Sequence, residues 1–325
     1  MLITRSPLRI SLGGGGTDLA SYYRLRGGHF VSAAIDKYVY VALGRTFGQE
    51  MLIRYSSTER ARDPTQIQHP IVREVLVHMG VNDPRLELTT MADVPAGMGL
   101  GSSGSFTSAL LLALFVRRGE QPTKEQLAEL ASLIEISRLG RSVGKQDPYV
   151  AVFGGVRAYS VRSDGYVDVT ELAWDASDRA EFRGRVLLFS TSMTHDASSI
   201  LSEQDGRTLG RDAEMIANLD EVKEIGLSSR AALERRDFDE FGRLLDRHWR
   251  LKRLRSGTMS SALVDRAYGA ALDSGALGGK LIGAGGGGFL MFYTTRPDAL
   301  RNTMSELGLE ELRWDFDLEG TKVLA

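Results

Sequence analysis

The chain has 325 residues, 42% hydrophobic and 25% charged, with a net charge of -2 and no cysteine. Disulfide scaffolds, thiolate metal sites and a cysteine nucleophile are excluded, and nothing global marks a binder of nucleic acid or anionic membranes. The length suffices for two domains, and the 36 glycines exceed ordinary usage and cluster at 13–16, 97–104 and 283–288.

Residues 2–13 read as a strand running into a glycine loop at 13–16, and 17–28 as a short helix or turn. The β-branched and aromatic run HFVSAAIDKYVYVALGRTF, 29–47, predicts one or two strands, and MLIRYSS, 51–57, another. Apolar spacing over 69–80 predicts a helix ended by Gly80; alternation over 85–94 predicts a strand leading into the second glycine cluster. Residues 105–119 predict a helix buried on most sides. The helix at 123–140 opens on a Thr123–Gln126 capping box and closes at Gly140. Residues 149–161 read as a turn of helix, a glycine turn and a strand. The polar stretch 175–184 predicts a boundary, with domains at 1–183 and 184–325. A strand at 185–192 follows, then helical periodicity over 198–249, a helix at 260–275 and strand–glycine turn–strand over 279–294. A last helix and strand end the chain. Alternating helices and strands with hairpin-like pairs favour a mixed α+β architecture. The N-terminus has no apolar stretch of signal-peptide length and no run could span a bilayer, so the expectation is a soluble, cytoplasmic protein.

The segment DVPAGMGLGSSGSFTSALLLAL, 93–114, carries the chemistry. A strand ends, glycines follow, and a helix starts at a pair of serines. Free N–H groups and the macrodipole at a helix start attract anions, and glycines let backbone wrap a polyphosphate. N-capping would need one serine, not two serines and four glycines. A Walker loop is excluded, because no glycine-spaced lysine is followed by Ser or Thr. Gly283, Gly285 and Gly288 match G-x-G-x-x-G, but a strand-like run follows, so that segment is a glycine hairpin and not a dinucleotide turn.

PAGMGLGSS, 95–103, resembles the central motif of the GHMP kinases. KLIGAGGGGF, 280–289, is similar to their C-terminal motif, and RSPLRISLGGGGTDL, 5–19, to their N-terminal one. The three occur in the family's order over nearly the whole chain. The resemblance implies an N-terminal ribosomal-S5-domain-2-like domain, a C-terminal ferredoxin-like domain, and ATP with Mg²⁺ in the cleft between them. By the same resemblance Gly97, Gly99, Leu100, Gly101, Ser102, Ser103 and Gly104 would hold ATP, and Ser103 and Glu135 the metal. Asp147, in GKQDPYVAVFGG, would take or orient the proton of the acceptor hydroxyl, with Arg9 as the neighbouring cation. By position alone Glu135 could be a solvated helix residue, Asp147 a turn residue before Pro148, and Arg9 a surface strand arginine.

Thr17 and Asp18, with Gly15 and Gly16, match the sugar-binding part of the N-terminal motif; Asp18 could instead cap a helix. Gly285 and Gly286 would close on the substrate. Within the family, PLRISLGGGGTD, GGHFVSAAIDKYVYV and HWRLKRLRSGTMS resemble the heptose 7-phosphate kinase branch. That implies phosphorylation of an anomeric hydroxyl to give a 1,7-bisphosphate for nucleotide-heptose and surface polysaccharide. The expected partner is a small sugar phosphate, with neither nucleic acid nor membrane, and a homodimer is left open. Of the clusters Arg138, Arg141, Lys145 and Lys252, Arg253, Arg255, Lys252 is the candidate for the substrate phosphate. His195 stands where that branch commonly has an arginine, which would suit an unphosphorylated sugar. The rival readings are a 1-kinase for fucose or galactose, a non-catalytic sugar sensor, and an ATP-dependent decarboxylase.

Overall fold

The computed structural model describes residues 1–192 and 197–325. In chain order the first part runs β1 (Leu2–Gly13), α1 (Ala20–Arg26), β2 (Gly28–Arg45), β3 (Met51–Arg54), β4 (Thr58–Ala61), α2 (Pro70–His78) and β5 (Leu86–Ala92). It continues with α3 (Ser102–Arg117), α4 (Lys124–Leu133), α5 (Gln146–Phe153), β6 (Val156–Val161) and β7 (Val167–Glu171). Then come α6 (Ala176–Arg185), β8 (Val186–Ser190), α7 (Ala197–Leu209), α8 (Ala213–Glu234), α9 (Phe238–Arg253) and α10 (Ala262–Asp273). The chain ends with β9 (Ala276–Leu281), β10 (Phe289–Thr294), α11 (Pro297–Glu306), β11 (Glu310–Glu311) and β12 (Lys322–Val323). The mixed α+β expectation is met.

The aromatic and β-branched run after α1 forms a single strand of 18 residues. Its length lets β2 pair with β1 on one side and with two strands on the other: residues 28–33 with β6 and 39–45 with β5. The first sheet therefore has the order β12-β1-β2-β5-β3-β4, with β6 and β7 attached beside β2. The second sheet has the order β11-β8-β10-β9 and is antiparallel throughout.

Helix α3 lies against β1, β2 and α5. Leu110, Leu111 and Leu114 on it are at most 1% exposed, and each such burial contributes about 1.5–3 kcal/mol. The periodic stretch over 198–249 is three helices. Asp212 and Asp237 cap α8 and α9 with their carboxylates, and Arg211 and Arg236 before them take positive φ. The polar stretch at 175–184 is helix α6, capped by Asp175 and holding one buried side chain, Phe182. A helix that buries so little reads as linker in the sequence. The domain division at 183/184 stands as a proposal. One feature crosses it: β12 returns to pair with β1. Among the described residues no helix is long and apolar enough to cross a membrane.

Candidate functional site

A cavity of about 280 Å³ lies where the two parts of the chain meet. Gly97, Gly99 and Gly101 of the β5–α3 loop line it, with Ser102 and Ser103 from the start of α3. Gly15 and Gly16 come from the turn after β1, and Gly283 and Gly285 from the β9–β10 turn. Two of these loops touch through backbone. At Gly99 (φ +79°) a Cβ would stand 2.6 Å from the Ile282 carbonyl oxygen, an approach only glycine allows. The first turn of α3 leaves its N–H groups without intrahelical partners, and its dipole favours negative charge there.

Asp147 sits in the first turn of α5. Arg9, on β1 and 4% exposed, donates from Nε to Asp147 Oδ1 at 2.8 Å, and its Nη2 forms an ion pair with the same oxygen at 2.7 Å. Its Nη1 donates to the Gly99 carbonyl at 2.5 Å. One guanidinium therefore ties the carboxylate to the glycine loop. Helix α3 abuts Asp147 at Gly104, where an added Cβ would stand 2.8 Å from the Asp147 backbone carbon.

Glu135 lies in the π-turn Ile134–Arg138 that follows α4, and is 2% exposed. Burial, with the nearby Asp147 charge, lifts its pKa to about 7, against hydrogen bonds from Ser103 and Thr107 and the charge of Arg141. Thr107 donates to it at 3.2 Å and Arg141 at 3.4 Å. Ser103 and Glu135, far apart in sequence, thus meet.

Asp18 accepts the Gly16 N–H at 3.0 Å and the Gln146 N–H at 2.9 Å, so it joins the first glycine turn to α5. Burial, then Asp147, pushes its pKa up against those backbone bonds. Opposite these carboxylates, His248, Lys252 and Arg255 project from α9 and the turn beyond it, and Lys280 from β9. Burial, and then repulsion from neighbouring cations, Arg255 and Arg9 in both cases, hold both lysines well below the usual lysine range.

The sequence matches the description "GHMP kinases N terminal domain" over residues 69–155 and "GHMP kinases C terminal" over residues 229–309. It is 30% identical to the D-glycero-alpha-D-manno-heptose 7-phosphate kinase of Campylobacter jejuni, across 98% of this chain and 97% of that protein. The chain belongs to the GHMP kinase family. A bifunctional relative, the L-fucokinase/L-fucose-1-P guanylyltransferase of Bacteroides fragilis, is 28% identical over 91% of this chain and 35% of its own length. The crystal structure of a D-glycero-D-manno-heptose 1-phosphate kinase from Bacteroides thetaiotaomicron superposes with a TM-score of 0.81. It covers 100% of this chain and 99% of that one at 24% identity, a likeness of fold.

Against the expectations for a GHMP kinase, the cavity gathers Arg9, Gly15, Gly16, Asp18, Gly97, Gly99, Gly101, Ser102, Ser103, Asp147, Lys252 and Gly285. Others serve behind it. The Leu100 carbonyl accepts the Arg9 N–H and pins the loop to β1. Gly286 donates its N–H to Met259. Thr17 is fully buried; its Oγ1 lies 2.8 Å from the Gly14 carbonyl oxygen and accepts the His29 N–H at 3.0 Å. It braces the glycine turn and does not line the cavity. Lys252 donates from Nζ to the Leu281 and Gly283 carbonyls at 2.8 and 2.6 Å, so two of its donors hold the β9–β10 turn instead of reaching for substrate. Lys145 is engaged by Glu129 and the Gly165 carbonyl, and Arg253 by Asp265. His195 lies outside the described residues.

Among the lining residues not foreseen are Gln146, Gln204 and His248. Gln146 donates to Ser11 and Ser32 and so fixes β1 and β2 against α5. The spacing of His248, Lys252 and Arg255, four and then three residues apart, was the available signal for one helical face.

Proposed function

We propose that the protein is an ATP- and Mg²⁺-dependent sugar kinase that phosphorylates the anomeric hydroxyl of D-glycero-D-manno-heptose 7-phosphate, giving the 1,7-bisphosphate for nucleotide-heptose and surface polysaccharide synthesis. The observation that carries the reading is the Arg9 fork on Asp147, anchored to Gly99 in the glycine loop. It sets a carboxylate beside an anion cradle, as in-line phosphoryl transfer requires. The Campylobacter jejuni relative supports the choice of acceptor.

Among the described residues no three His, Asp or Glu side chains gather into a metal cage. Magnesium does not need one, since phosphate oxygens and water complete its shell. Ser103 and the buried Glu135 offer two hard oxygens at the cradle, and a carboxylate held so poorly solvated fits a bound cation. Magnesium, when bound, would neutralise charge on the transferring phosphates.

The N–H groups at the start of α3 and the loop glycines would bind and orient the polyphosphate. Asp18 and the backbone of Gly15 and Gly16 would orient the sugar. Asp147 Oδ2, the oxygen not taken by Arg9, would accept or position the proton of the attacking hydroxyl. Arg9 would stabilise the growing negative charge between donor and acceptor.

The test is ADP release with Mg-ATP against heptose 7-phosphate, fucose, galactose and mevalonate, with Asp147→Asn as control. Turnover of heptose 7-phosphate alone, lost in the variant, is the expected result. Turnover confined to fucose or galactose would replace the acceptor. ATP binding without turnover of any of them would make the protein a sensor.

A further inference from the structure

Arg255 stands immediately beyond α9 and is 3% exposed. Its guanidinium is held on two sides. Nε donates to Asn218 Oδ1 at 3.0 Å, and Nη1 donates to Gln204 Oε1 at 3.2 Å and the Gly15 carbonyl at 3.3 Å. Nη2 is buried and has no hydrogen-bond partner among the described residues. Buried charged donors are seldom left so, because water has been removed and nothing replaces it. No carboxylate ion pair involves Arg255 among the described residues; Asp18 exerts only a through-space attraction.

Its surroundings point the same way. Lys252, Lys280 and Arg255 line the cavity together, and among the described residues Arg9 is the one lining cation with a carboxylate partner. Among the described residues Lys280 finds only His248 Nδ1, at 3.2 Å. Against these four basic side chains the wall offers, among the described residues, two carboxylates, Asp18 and Asp147. These basic groups are buried with too few carboxylates beside them, and an anion in the cavity would stabilise their charged forms.

Two anions would enter: the polyphosphate of the donor and a group on the acceptor. The donor's cradle is the loop of Gly97–Ser103, whereas Arg255 touches the other glycine turn. An added Cβ at Gly16 would stand 2.6 Å from Arg255 Nη1. Arg255 is therefore bonded to the turn assigned to the sugar.

We propose that Arg255 is the receptor for the phosphate ester of the acceptor, its Nη2 donating to a phosphate oxygen, with Lys280 supplying the second positive charge. This rests on a sugar-phosphate acceptor. It moves the expected contact from Lys252, which braces the β9–β10 turn, to a residue pre-oriented by Asn218 and Gln204. It also provides the receptor without an arginine at position 195. A fork held on two edges binds phosphate with geometric selectivity that a lysine does not match.

The experiment compares the full chain with Arg255→Gln and Arg255→Lys, using Mg-ATP and either heptose 7-phosphate or unphosphorylated heptose. Arg255→Gln raises KM for the phosphorylated acceptor about 30-fold or more, leaving kcat and the KM for ATP within about threefold. KM for the unphosphorylated sugar does not follow, and Arg255→Lys recovers part of the loss. An equal rise for both sugars would mean that Arg255 only braces the glycine turn, and an unchanged KM would put the phosphate elsewhere; either overturns the proposal. Should Arg255→Gln not fold, Asn218→Ala, which frees Nε alone, carries the same comparison. If the wild type turns over neither heptose, the acceptor assignment fails but the receptor is still read. With Mg-ADP filling the nucleotide side, orthophosphate raises the melting temperature of the wild type and not of Arg255→Gln. No phosphate-dependent rise in the wild type, or the same rise in the variant, overturns the receptor.

Discussion

Arg9 places two of its nitrogens on one oxygen of Asp147, at 2.8 and 2.7 Å, and its third on the Gly99 carbonyl. The fork is a positional device as much as a charge. Asp147→Asn keeps the shape of the side chain but removes a proton acceptor, so kcat falls by about 10²- to 10⁴-fold with ADP-release kinetics as the readout. Arg9→Lys keeps the charge and loses the fork. It lowers kcat and also raises KM for ATP, because the tie to Gly99 goes with it. An unchanged KM for ATP would show that the Gly99 bond does not shape the cradle.

Gly104→Ala tests the seam between α3 and α5. The new methyl meets the backbone of Asp147 and Pro148 at 2.8 Å, where neither side can yield cheaply. Overpacking of this kind costs about 1–3 kcal/mol, and the shift lands on the residue proposed to carry the chemistry. The variant melts earlier and loses kcat more than its folded fraction explains. Loss of stability with full specific activity would mean that Asp147 tolerates displacement.

Chelation of magnesium abolishes turnover, and Ser103→Ala or Glu135→Gln raises the magnesium concentration needed for half-maximal rate. Glu135→Gln has the larger effect because it removes charge from a site with 2% exposure. Titration of rate with magnesium at saturating ATP is the measurement. The same half-saturation in all three proteins would move the metal away from these oxygens.

His29 gives a pH prediction for the fold itself. Burial, then the charge of Arg230, lowers its pKa to about 4, and Nε2 has no hydrogen-bond partner among the described residues. The unfolded chain therefore binds a proton that the folded one refuses. Stability is fully present above the ordinary histidine pKa and declines as pH falls through about 4. His69 and His248 shift in the same direction. Melting temperature falls on acidification, and His29→Gln falls less steeply. Equal slopes would assign the acid sensitivity to the other two histidines.

The glycine loop and the helix behind it were readable because backbone constraints are local: glycine, serine and an apolar run announce themselves in order. Asp147 and Glu135 were readable through the family motif, yet their company was not. That Ser103 reaches Glu135, or that Arg9 forks onto Asp147, depends on sheet register and helix packing. Lys252 shows the limit most plainly. Its charge and position suggested a ligand, but the carbonyls of Leu281 and Gly283, which take up its amine, come from a turn folded back from residues about thirty positions later. Gln204 and Asn218 carried no sequence signal, because their value lies in the guanidinium they steady. Helix α6 was read as a polar boundary because Phe182 is the one buried side chain that betrays it.

On the proposed division at 183/184, the pairing of β12 with β1 takes the polypeptide across a second time, after a first crossing near α6. A protein strung on one linker can swing open like a book. One laced at two places can only slide or flex by small amounts, so the cleft would open by shear instead of by a wide hinge. The lacing also covers the start of the outer edge of β1, at Thr4 and Arg5. A fragment ending near residue 183 would carry that edge bare, with its unpaired N–H and C=O groups free to recruit another copy.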